Sequence, residues 1–150
     1  MTYKEYVETR QKDVNALPLF WAFTTKQLDE ELAKRGATLA DIYRLGDTGG
    51  FYLKKDAEII RAFFSKGKEL NALMLDYDFA VEAFLYEMNN HEYAINYQGD
   101  WDVCCCFCDH ECDYGEDKTY VEYLTENNKA DLIPAYRAAK AKHFKIAEDW

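Results

Sequence analysis

No apolar run in the 150-residue sequence is longer than a handful of residues, whereas a helix that crosses a bilayer needs about 20. A membrane span is therefore not expected. The opening residues, Met1-Thr2-Tyr3-Lys4-Glu5, are charged and lack an apolar signal region. On that reading the chain belongs in the cytoplasm, where thiols are kept reduced. Basic residues are also missing from one long stretch. Between Glu69 and Asp117 there is no lysine or arginine, and the segment holds 13 of the 28 acids, for a formal charge of −13 against +3 for the remainder. Phosphate backbones are bound through Lys and Arg, which release counterions, so direct nucleic-acid binding is not expected. An acidic middle attracts basic partners and speeds their encounter; the plainer alternative is a solvated surface that keeps the chain soluble. No repeat, linker or low-complexity tract interrupts the sequence, and its length fits one domain, 1–150.

What is present is a globular composition, 49% apolar, with 12 Tyr, 9 Phe and 3 Trp. The patterning predicts an α+β fold in which several helices pack around short antiparallel hairpins. Thr2 to Asn15 has helical spacing of Tyr3, Tyr6, Val7, Arg10 and Val14. Phe20 to Phe23 is a short strand or a packed turn. A second helix starts at Thr24, with Thr24 and Gln27 spaced as a capping box, and stops at Gly36. Ile42 to Leu45 and Phe51 to Leu53 form a hairpin around Gly46-Asp47-Thr48-Gly49-Gly50. The glycines there suit a turn that needs positive φ; no Gly-Lys-Ser/Thr follows, so a phosphate-binding loop is not supported. Asp56 to Leu75 reads as a long amphipathic helix that Gly67 breaks or bends. Asp76 or Asp78 caps the next helix, with Phe79, Ala83, Phe84 and Met88 on its inner face. The alternations Tyr93 to Tyr97 and Trp101 to Cys105, around Gln98-Gly99-Asp100, predict a second hairpin. Tyr120 to Leu124 is a short strand or helical turn, and Pro134 opens a final helix, Ala135 to Glu148.

All five cysteines, Cys104, Cys105, Cys106, Cys108 and Cys112, fall within nine residues, with His110 among them. Disulfides fit poorly, because the count is odd, the compartment is reducing and adjacent cysteines are badly placed to pair. One or two of the thiols suit burial as small hydrophobes: Cys105 with Val103 and Trp101, or Cys104 and Cys106 on the opposite face. Burial does not account for Cys108, His110 and Cys112 in a polar loop. Zinc does, since it takes four tetrahedral thiolate or imidazole ligands at short spacings. Cys105 and Cys108 have the spacing of a zinc knuckle, and His110 and Cys112 complete the set, with Cys106 as an alternate ligand. The expected loop is thus zinc-stabilised, and the zinc is structural. No catalytic residue is assigned. Glu111 and His91-Glu92 are the nearest acid–base candidates, but no His-Glu-x-x-His pattern occurs, and His91 and His143 read as structural or surface histidines.

The block Asn90-His91-Glu92-Tyr93-Ala94-Ile95-Asn96-Tyr97-Gln98-Gly99-Asp100-Trp101-Asp102-Val103, with Gly46-Asp47-Thr48-Gly49-Gly50-Phe51-Tyr52, resembles small proteins from phages and mobile elements of Gram-positive bacteria. Most of the chain is similar to zinc-carrying anti-CRISPR proteins that inhibit type II-A Cas9. That resemblance implies a stoichiometric inhibitor, not an enzyme, which binds Cas9 in the cytoplasm of a bacterial host cell and blocks target DNA loading. The acids expected to face the partner are Asp100, Asp102, Asp109, Glu111, Asp113, Glu116 and Asp117, with Tyr97, Trp101 or Tyr114 as anchors. The alternatives are a zinc-dependent enzyme and a mobile-element regulator that binds another basic host protein.

Overall fold

The computed structural model describes residues 1–107 and 118–150; for Cys104 and Gly67 only the backbone is described. Eight α-helices, three short 3-10 helices and a three-stranded antiparallel sheet occur among the described residues, so the fold is α+β. The chain groups into two compact units: Met1–Thr9 with Gly67–Trp150, and Arg10–Lys66. We refer to them as units 1 and 2.

Unit 2 holds the second half of helix α1 (Tyr3–Asn15), from Arg10 onward, then β1 (Phe20–Trp21), α2 (Thr25–Arg35), β2 (Ile42–Leu45), β3 (Gly50–Leu53) and α3 (Ala57–Ser65). The order across the sheet is β1-β3-β2. Phe20 pairs with Phe51 and Leu45 with Gly50, and Phe20, Ala22 and Phe51 form a small core against Leu28 and Ile42. Local signals set the ends of α2. The Thr24 side chain accepts a hydrogen bond from the Gln27 amide, and Gly36 is left-handed. The expected capping box is altered by one residue, because Gln27 Oε1 accepts from Phe23 N at 2.8 Å and not from Thr24. At Gly49 the φ of 80° is a left-handed conformation, so the backbone favours glycine in that turn.

Unit 1 begins with the first residues of α1 and continues through α4 (Gly67–Leu73), α5 (Tyr77–Asn90), α6 (Gly99–Phe107), α7 (Tyr120–Glu126) and α8 (Ile133–Ala147). The long helix expected from Asp56 to Leu75 is divided at Lys66. Asp76 caps α5 by accepting from Phe79 N at 2.8 Å. The core of this unit centres on α5: Phe84, Met88 and Ala83 are fully buried, joined by Val103, Leu124 and Ala139.

The second hairpin does not form. Residues 99–107 are helix α6, and 93–98 is a turn in which Ile95 and Tyr97 are exposed. Val103 and Phe107, four residues apart, both enter the core, a helical pairing that the short alternation concealed. Gly99 opens α6 because a Cβ there would lie 2.7 Å from the Tyr93 ring.

His143 on α8 is buried with both ring nitrogens bonded. Nε2 accepts from Ala94 N–H at 2.9 Å, and Nδ1 lies 2.7 Å from Asn89 Oδ1. Nδ1 therefore carries the proton and the ring is neutral, since protonating Nε2 would face one donor with another. Burial accordingly pushes this histidine below its ordinary value of 6.5. A histidine with a lowered folded-state value binds fewer protons folded than unfolded below that value, so its contribution is complete above about 6.5 and is lost as the pH falls. We expect the urea midpoint to fall between pH 6.5 and 5.5 more steeply in wild type than in His143→Gln, measured by far-UV circular dichroism.

Candidate metal centre

Glu87 and His91 are one turn apart at the end of α5, so their side chains share a face. That face meets the last turn of α6, where Cys106 is half-buried. Cys106 Sγ lies 3.4 Å from Glu87 Oε2 and 3.5 Å from His91 Nε2, and His91 Nε2 lies 3.5 Å from Glu87 Oε2. These three donors could hold a metal ion.

Each donor has support behind it. Tyr3 donates its hydroxyl to Glu87 Oε1 at 2.7 Å, which leaves Oε2 turned toward Cys106. His91 Nδ1 faces Asp102 Oδ2 at 4.0 Å. Asn96 Nδ2 donates to Asp102 Oδ2 at 2.7 Å and to His91 O at 3.1 Å. Burial, then the Glu87 carboxylate, push the Cys106 thiol up to about 12, and burial with the Glu87 bond raises the Tyr3 phenol. A reactive cysteine needs the opposite surroundings, a cation or a helix N-terminus that favours thiolate. Beside a divalent cation a thiol is deprotonated outright. The sum of carboxylate, thiolate, neutral imidazole and a dication is zero, which suits a half-buried place. The arrangement therefore fits a cation better than it fits a Cys–His nucleophile.

Of the ligands expected from the sequence, Cys105 is exposed and is not one of the three donors, its thiol raised by burial and by Asp102. Cys106, the alternate, is the thiol that joins it. Cys108, His110 and Cys112 lie outside the described residues, as do Asp109, Glu111, Asp113, Tyr114, Glu116 and Asp117. Asp100 is half-buried and accepts hydrogen bonds from Tyr93 and Tyr136 at Oδ1 and from Tyr120 N at Oδ2. Asp102, also half-buried, is engaged with Asn96. Neither is the exposed acid that the sequence suggests. Tyr97 is 96% exposed and Trp101 38%. The sequence does not single out Glu87, and it offers His91 as an acid–base candidate or a structural histidine and not as a ligand; their i, i+4 spacing is a ligand pattern, but it is also an ordinary helical one.

Residues 2–104 match a family of unknown function, DUF7659. The chain belongs to that family. No curated protein and no solved structure matches it. The DUF7659 match includes Glu87, His91 and Asp102 and ends two residues before Cys106. The match thus takes in Cys104, while Cys106 of the centre lies beyond it with Cys105, Cys108 and Cys112. A cavity of about 420 Å³ in unit 1 is lined by Leu70, Met74, Phe107, Tyr120, Leu132 and others, and by none of the three donors. No helix among the described residues is long and apolar enough to cross a membrane.

Proposed function

We propose that the protein acts by binding, as a stoichiometric inhibitor of type II-A Cas9 that obstructs target DNA loading, with a structural zinc ion. The observation that carries this reading is the absence of any lysine or arginine from Glu69 to Asp117, joined to the resemblance on Asn90 to Val103. Cas9 holds its guide and target strands in positively charged channels, and an acidic surface can occupy such a channel. Within the described part of the stretch, Glu69, Asp76, Asp78 and Glu92 are exposed, and Ile95 and Tyr97 project beside Glu92. Asp109, Glu111, Asp113, Glu116 and Asp117 complete the acidic face in this reading, while Asp100 and Asp102 serve it from within, by holding the turn and α6. An exposed aromatic with acids around it has the make-up of an interface anchor.

The test is titration. Purified Cas9 should be inhibited in proportion to the protein added, reaching completion near one equivalent, and the two should co-purify. Tyr97→Ser should weaken that binding by roughly tenfold or more. Neutralising Asp76, Asp78 and Glu92 together should slow association and flatten its salt dependence. Binding unchanged by either variant would reject the acidic face. The second reading, a zinc-dependent enzyme, is favoured by one feature: three protein donors leave a coordination position free, as catalytic zinc sites do. Effects at far below one equivalent would support it.

A further inference from the structure

We infer that α5 and α6 carry a metal site whose protein ligands are Glu87 Oε2, His91 Nε2 and Cys106 Sγ, for a borderline divalent cation of the zinc class. The inference rests on the zinc reading above and replaces its four loop ligands. Three donors arranged tetrahedrally around zinc at normal bond lengths of about 2.0–2.3 Å stand about 3.3–3.6 Å from one another. The three separations here, 3.4, 3.5 and 3.5 Å, are the edges of one tetrahedral face. The donor set is also chemically selective. A thiolate and an imidazole disfavour magnesium and calcium, which take oxygen ligands, and suit zinc.

The surroundings are those of a metal site. A histidine ligand usually presents its second nitrogen to a carboxylate or carbonyl, and a carboxylate ligand is itself hydrogen-bonded. Here His91 presents Nδ1 to Asp102, which Asn96 holds, and Glu87 keeps its second oxygen on the Tyr3 hydroxyl. Glu87 is 8% exposed, and a cation bound between it and the Cys106 thiol would supply its carboxylate with a counter-charge. A hydrogen-bonded cluster without metal, in which Cys106 Sγ also reaches Asp102 O at 3.2 Å, is the competing arrangement, and the titrations below separate the two.

Cobalt and zinc titrations of the full chain decide the matter. Cobalt should bind at one equivalent, with near-UV thiolate charge-transfer intensity for a single sulfur. The loop set Cys105, Cys108, His110 and Cys112 would give about three times that intensity, since it supplies three thiolates. Zinc affinity, measured against a chromophoric chelator, should fall at least 100-fold in Cys106→Ser and in His91→Ala, and about 10–100-fold in Asp102→Asn. Cys108→Ser and Cys112→Ser should leave it within a few-fold. The single-sulfur spectrum is read on wild type and so holds even if a variant fails to fold. A three-thiolate spectrum, or affinity lost only in the Cys108 and Cys112 variants, would overturn this site and leave the zinc reading standing. No metal bound by wild type would overturn both.

Discussion

Asp100→Ala is expected to lower the stability of unit 1 by about 3–5 kcal/mol, because truncation strands several buried donors at roughly 1–3 kcal/mol each. The Asp100 carboxylate is half-buried and both of its oxygens are bonded. Its Oδ1 takes the hydroxyls of Tyr93 and of Tyr136, the latter at 2.8 Å, and its Oδ2 takes Tyr120 N at 3.1 Å. Tyr136 and Tyr120 are almost wholly buried. Tyr120 is the first residue of α7, whose opening amides have no partner within the helix. One side chain therefore ties the start of α6, the start of α7 and the first turn of α8. Burial first, then Tyr93 and Asp100, hold the Tyr136 phenol far above its ordinary range, so it stays a donor at every workable pH. Asp100→Asn should fall between wild type and alanine: it keeps one acceptor and presents an amide donor where a phenol or the Tyr120 amide already donates. Urea unfolding followed at 222 nm measures the series. An Asp100→Ala midpoint equal to wild type would mean that the network carries no stability.

Phe84→Ala should cost about 3–5 kcal/mol, the range for removing a fully buried aromatic ring. Phe84 has no exposed surface, and its ring centroid lies 5.0 Å from that of Phe107, 5.7 Å from Tyr136 and 5.8 Å from Tyr120. The lost ring leaves a cavity bounded by α6, α7 and α8, so the surroundings cannot collapse by moving one element. Phe84→Leu keeps most of the volume and should cost less, about 1–2 kcal/mol. Phe107 follows Cys106 directly, so zinc affinity should also weaken in Phe84→Ala. Equal urea midpoints for the alanine and leucine variants would show that the site repacks freely.

The sequence made the helix ends legible because the signals for them are local. Thr24 and Asp76 cap through bonds to amides three residues on, Gly36 supplies a left-handed C-terminal residue, and Pro134 stands in the first turn of α8. The inner face of α5, Phe79, Ala83, Phe84 and Met88, is likewise where the helical spacing puts it. The stretch from Tyr93 to Phe107 was not legible in the same way. Five-residue alternations fit a strand and a helix almost equally, and the choice was made by neighbours far along the chain: Asp100 meeting Tyr120 and Tyr136, and Val103 and Phe107 filling the core beside Phe84.

By itself, then, the sequence determined the α+β class, most helix boundaries, the acid-only stretch and the concentration of thiols, since each follows from adjacent residues or from simple counting. Only the tertiary structure decided that Cys106 meets Glu87 and His91, 19 and 15 positions earlier, and that Asp100 turns inward. Both depend on how α5 and α6 pack. A packing contact has no local period, and a carboxylate reads the same in sequence whether it faces water or three donors.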